Sequence, residues 1–179
     1  MSSKNKRILV ITSCSAKKRS GSEPIKAIKL YNGGFFNQVK KFVKVHKFDL
    51  KIISAKYGLL STEEIITEYN IRIKNNDDIL KLQEKVIPKL KEIISNYDKI
   101  LIFMGENYRK VIEPIKDERF LYFFDKRGLG GYKSLMTHLL KMYNKDLVKL
   151  LVQDKYKVIT IDIIKEIFHN FHISIKCKE

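Results

Sequence analysis

Cysteine is scarce: the 179 residues include two, Cys14 and Cys177, near opposite ends of the chain and without a CxxC pair. That excludes a disulfide framework and a zinc-ligand pattern, and it fits a reducing, cytoplasmic setting. Long apolar runs are missing too. None approaches the roughly 18 to 20 residues needed to cross a bilayer, and the polar, basic N-terminus leads straight into a short apolar strand, unlike a signal peptide. Neither a membrane span nor a membrane partner is expected. Carboxylates are the third shortage. Against 36 Lys or Arg the chain has 20 Asp or Glu, a formal net charge of +16 at pH 7, and residues 1–51 carry 13 Lys or Arg against Glu23 and Asp49 alone. A field so one-sided recruits polyanions, nucleic acid first among them. An AT-rich genome, which inflates Lys, Ile, Asn, Tyr and Phe together, would leave the same bias without such a partner.

What is present suffices for one core. A hydrophobic share of 44% over this length supports a single domain, residues 1–179, without staples. Four short apolar runs, Arg7 to Ser13, Asp49 to Ala55, Lys99 to Met104 and Phe120 to Phe124, read as buried strands. Helical patterns lie between them. Phe35, Val39, Phe42 and His46 share one face of a helix whose remainder is covered by Lys40, Lys41, Lys44 and Lys47. Asp77 or Asp78 can cap a second helix striped by Leu82, Val86, Leu90, Ile93 and Ile94, with a kink expected at Pro88. Shorter helices are expected over Asn107 to Ile115 and Tyr132 to Tyr143. Alternating strands and helices imply an α/β fold of three layers, α/β/α, around a mostly parallel four-stranded sheet, with functional loops at the strands' carboxyl ends. The core covers about 7–143. Residues 144–179 form a small C-terminal appendage, in which Asp162 can cap a short helix through Phe168 and His172 to Cys177 suit a last strand or an arm.

The loops carry the chemistry. After the first strand, Thr12 to Gly21 joins small hydroxyls and a thiol to the cations Lys17, Lys18 and Arg19, a set suited to a phosphate or sugar oxygen or, equally, to a solvated turn. It lacks Walker spacing, so ATP is not expected. After the second strand, Ser54-Ala55-Lys56-Tyr57-Gly58 leads to Glu63, Glu64 and Glu68-Tyr69-Asn70. Tyr57 and Tyr69 could stack on a base or sugar while a nearby carboxylate orients water. The same residues could equally be packing and helix-start carboxylates. After the third strand, Glu106 follows Gly105 as a second acid candidate. After the fourth, Asp125-Lys126-Arg127-Gly128-Leu129-Gly130-Gly131-Tyr132-Lys133 sets glycines and cations before a helix, a plausible phosphodiester clamp. It is not a GxGxxG fingerprint, so no nicotinamide cofactor is expected. His46 and His138 fall on helices, while His169, His172 and Cys177 have no fixed ligand spacing, so no metal is expected. No GxSxG elbow is present.

The segments ITSCSAKK, Leu30-Tyr31, ISAKYGLLSTEE with Glu68-Tyr69-Asn70, FMGENY and GLGGYKS together resemble an uncharacterised-domain family. That family is similar in outline to the uracil-DNA-glycosylase superfamily and to a domain of archaeosine synthase. The resemblance covers residue 7 to about 143, and SAKYGL with Tyr69 is its most specific part. It implies a uracil-DNA-glycosylase-like fold and a cofactor-free enzyme acting on DNA. The functional type it points to is an anti-phage DNA glycosylase that removes hypermodified cytosine, such as glucosylated hydroxymethylcytosine of phage DNA, leaving an abasic site. Carried over, Ser13, Cys14 and Lys17 belong to the nucleobase pocket, which Ser54, Tyr57 and Tyr69 complete, and Arg127, Gly130 and Lys133 to the DNA contact, with Lys18, Arg19, Lys56 and Lys126 beside them. The first loop lacks the water-activating Asp or Asn of standard uracil glycosylases, and the fourth-strand loop lacks their His. Glu63, in the family-like segment, is then the first choice for the catalytic carboxylate, Asn70 for positioning water, and Glu106 and Asp125 stand in reserve. Base exchange in tRNA or a nucleoside, and non-catalytic nucleic-acid binding, are the competing expectations.

Overall fold

In chain order the elements of the computed structural model, which describes residues 6–21, 23–142, 147, 151 and 157–166, begin with β1 (Ile8–Ser13), β2 (Ile25–Lys26), α1 (Ala27–Leu30), α2 (Gly34–His46) and β3 (Asp49–Ser54). There follow β4 (Gly58–Ser61), β5 (Ile65–Ile66), α3 (Asn76–Ile94), β6 (Lys99–Phe103) and α4 (Glu106–Ile112). Then come β7 (Phe120–Phe123), α5 (Leu129–Lys141) and β8 (Val158–Ile159), with a further helical stretch over 161–166. The main sheet has six strands rather than the four expected, in the order β4-β3-β1-β6-β7-β8. All its neighbours pair in parallel except the β3–β4 hairpin. The fold is α/β. No described helix is long and apolar enough to cross a membrane.

The continuous apolar runs are explained by burial on both faces of the sheet. In β1, Ile8 and Val10 enter the core under α2 and α5, while Leu9 and Ile11 enter the core under α3 and α4. Each such side chain contributes roughly 1.5–3 kcal/mol when fully buried, so helices on both sides are required. In α2, Phe36, Val39, Phe42, Val43 and His46 are buried, and Lys41, Lys44 and Lys47 stay outside. Phe42 and Phe103 meet edge to face at 5.5 Å, and Phe103 stacks on Phe123 at 4.2 Å.

Three local expectations change. The segment read as a loop after the second strand turns back at Gly58 (φ 76°) and becomes β4, pairing Leu60 with Ile52. Four residues are too few to show an alternating pattern, so the hairpin had only its glycine to announce it. The cap of α3 is Asn75, whose side chain accepts the Asp78 N–H at 3.0 Å. Asp77 and Asp78 lie in the first turn instead, and the Asp78 carboxylate accepts the Lys74 N–H at 2.8 Å. Pro88 lies inside one helix of 19 residues. In the C-terminal part, Thr160 rather than Asp162 accepts from the first turn of 161–166, through the Ile163 N–H. Phe168, His169, His172 and Cys177 lie outside the described residues.

Candidate functional site

Strand order positions the cleft. The chain passes from β1 to β3 on one side and returns to β6 on the other, so the loops leaving β1 and β6 diverge and open a crevice beyond the carboxyl ends of those strands. Thr12 ties the two ends together, its hydroxyl donating to the Phe103 carbonyl at 3.0 Å. A cleft of about 420 Å3 opens there, walled by Cys14, Ser15, Ala16 and Lys18 on one side and by Gly105, Glu106, Asn107 and Tyr108 on the other. Ile71, Arg72 and Ile73 close its third side as a strap without regular structure.

The post-β1 loop is held by close backbone contact. Cys14 N–H donates to the Ile53 carbonyl at 2.9 Å, Arg19 and Leu30 pair at 2.8 Å, and Ser15 Oγ accepts the Gly33 N–H at 3.1 Å. A Cβ at Gly33 would stand 2.7 Å from Ser15 Cβ, so glycine lets the loop lie on the start of α2.

Beside the cleft is a phenol network. Ser54 Oγ accepts the N–H groups of Tyr57 at 3.1 Å and Lys56 at 3.3 Å. With those two lone pairs engaged, its own proton goes to Tyr69 Oη at 2.7 Å, and Tyr69 then donates to Tyr31 Oη at 2.9 Å. Tyr108 Oη meets Cys14 Sγ at 3.1 Å. Burial, the largest cause, raises the Tyr31 phenol to about 12 against the smaller opposing effect of its hydrogen bonds. Burial and then the neighbouring Cys14 raise Tyr69 and Tyr108 as well. All three phenols are therefore neutral near pH 7 and act as donors and acceptors, not as bases. Lys18 Nζ lies 4.3 Å above the Tyr69 ring, and Lys56 Nζ 4.7 Å above that of Tyr57.

Several expected site residues converge here and others do not. Cys14, Lys18 and Glu106 line the cleft, with Ser54, Tyr57 and Tyr69 in the adjoining network. Ser13 ends β1 and does not line the cleft; Lys17 and Arg19 are exposed on the loop. Asn70 is exposed at the start of the strap. Glu63 is exposed on the turn before β5, where its carboxylate meets Lys26 Nζ at 2.5 Å; that partner holds its pKa below the ordinary carboxylate value. Glu106, also exposed, pairs with Lys110 at 3.2 Å one turn on.

Asp125, Lys126 and Arg127 belong to a separate cavity of about 320 Å3 beyond β7 and β8. Asp125 is buried and gripped by Arg127 through Nε at 2.9 Å, Nη2 at 2.7 Å and the backbone N–H at 2.9 Å. The guanidinium pulls its pKa down to about 2. Three donors from Arg127 occupy most of the acceptor sites of this carboxylate and tie it to its own loop. Gly130 lies in the first turn of α5, and Lys133 reaches toward Gly34 at the start of α2. Tyr31, Tyr108 and Arg72 received no role from the sequence. The first two stand inside the segments LY and FMGENY, but Arg72 had no signal, because the strap has no regular structure.

Residues 8–126 match the model of a family described as a family of unknown function, DUF6884, and the chain belongs to that family. No curated protein and no solved structure matches the chain.

Proposed function

We propose that this member of a family of unknown function is a DNA glycosylase, which seats one extruded base in the β1–β6 cleft and hydrolyses its N-glycosidic bond. The observation that carries the reading is convergence. The post-β1 loop and the MGENY turn, distant in sequence, wall one cleft whose volume of about 420 Å3 falls among small-molecule sites, and the SAKYGL segment with Tyr69 forms the hydrogen-bonded network beside it. Four neighbouring parallel strands, β3, β1, β6 and β7, within the six-stranded sheet support the uracil-DNA-glycosylase-like reading. The room fits a base carrying a sugar, as in glucosylated hydroxymethylcytosine of phage DNA, and defence against phage follows from that substrate.

In this reading Glu106 replaces Glu63 as the catalytic carboxylate, since it lines the cleft. It stabilises the oxocarbenium-like sugar and takes a proton from the attacking water while the C1′–N bond breaks. The base leaves with the bonding pair and an abasic site remains. Lys18 and Arg72 offset phosphate charge at the rim, and Cys14 and Tyr108 contact the base.

The test incubates the protein with DNA containing ordinary bases, uracil or glucosylated hydroxymethylcytosine, and reads alkali-labile sites together with released base by mass spectrometry. Release from one modified DNA, reduced about a hundredfold or more in Glu106→Gln and retained in Glu63→Ala, is the expected result. Binding without release from any of these DNAs would favour a non-catalytic module, and incorporation of free base into tRNA would favour base exchange.

A further inference from the structure

On the far side of the strap lies a second cavity, of about 300 Å3, which Ile71, Arg72 and Ile73 share with the cleft. Four cations converge on it from three parts of the chain: Lys56 from the β3–β4 turn, Arg72 from the strap, and Lys81 and Lys85 from consecutive turns of α3. None of them forms an ion pair with a described residue. The one carboxylate in the wall, Asp78, accepts the Lys74 N–H at the start of α3 and offsets one of the four charges, which leaves a net excess of three positive charges. Like charges gathered around so small a space repel one another, and a bound anion relieves that repulsion.

We propose that this cavity is the seat of a backbone phosphate of the DNA strand whose base enters the neighbouring cleft, an inference that rests on the glycosylase reading. Arg72 lines both spaces, so it spans the two ends of one nucleotide unit, with the base on one side of the strap and the phosphodiester on the other. Arginine matches two phosphate oxygens with its planar fork, while Lys56, Lys81 and Lys85 supply point charges. The seat fixes the direction in which the strand crosses the strap, which is a positioning requirement for the sugar opposite Glu106.

The experiment measures DNA affinity by fluorescence anisotropy over a salt series. It compares wild type with Lys81→Gln/Lys85→Gln and, as a control of equal charge change on the opposite layer, Lys41→Gln/Lys44→Gln. Each protein also meets oligonucleotides in which single phosphates are replaced in turn by neutral methylphosphonates. Loss of one single-strand phosphate contact lowers the log–log salt slope by about 0.7, and an affinity loss of about tenfold is expected for the α3 pair.

One methylphosphonate position should weaken wild type and the α2 control alike while leaving the α3 pair unchanged. Equal losses in the two lysine pairs, or methylphosphonate sensitivity that persists in the α3 pair, would overturn the seat. So would a wild type that binds no DNA. Base release is read separately in the same samples. A protein that shows the methylphosphonate pattern but releases no base keeps the seat and loses the glycosylase reading, and one that releases base without the pattern does the reverse.

Discussion

At Tyr69 one hydroxyl joins the end of β3 to the end of α1, because it accepts from Ser54 and donates to Tyr31. Tyr69→Phe keeps the ring and strands a buried proton on Ser54 and a buried lone pair on Tyr31. The variant should lose about 1–3 kcal/mol of stability in urea unfolding, whereas Tyr57→Phe, whose hydroxyl bonds Thr67 on a half-buried surface, should lose less. Asp125 carries the clearest dependence on pH. Its folded pKa of about 2 lies below the value of about 3.9 in an unfolded chain, so its ionised form favours folding. That contribution is complete above about pH 4 and fades as pH falls toward 2. Thermal melts of wild type and Asp125→Asn should therefore differ at pH 6 and converge near pH 2. The sequence singled out both residues, but as a base-stacking ring and a reserve acid. Their partners Tyr31 and Arg127, which decide what each can do, become apparent only when the strand ends are assembled.

Among the elements, α5 shows the tightest constraint. A Cβ at Gly131 would stand 1.9 Å from Asp125 Oδ1, and that carboxylate cannot swing away without breaking its bonds to Arg127. Gly131→Ala should shift the first turn of α5 and destabilise the protein by about 1–3 kcal/mol, the range of overpacked sites. Urea unfolding should also show the Gly131→Ala cost shrinking in an Asp125→Ala background, where the obstruction is gone. The glycine loop thus has a packing reason distinct from a phosphodiester clamp. Continuous apolar runs and long helical periods were legible in advance: β1, β3, β6 and β7, and most of the buried stripes of α2 and α3, although Phe36 rather than Phe35 is buried in α2. The two-residue strands and β4 were not, since pairing partners rather than periodicity make them strands.

For the whole molecule, the basic balance is less concentrated than the sequence suggests. Three of the 13 basic residues in 1–51, Lys41, Lys44 and Lys47, sit on the outer side of α2 and its C-cap, while the cations around the two cavities include Lys56, Arg72, Lys81 and Lys85 from later segments. DNA affinity should fall steeply with salt, by about two to three orders of magnitude between 50 and 200 mM if some five phosphates are engaged. An affinity that scarcely responds to salt would contradict the polyanion reading. Composition and local pattern were enough to establish an α/β domain with a cationic surface, because burial on two faces and net charge are properties that short stretches of chain already carry. They could not say that Glu106 lies in the cleft while Glu63 pairs with Lys26 outside it. Which side chains share a cleft depends on the order of strands in the sheet, and that order comes from long-range packing of both faces at once, which no local periodicity encodes.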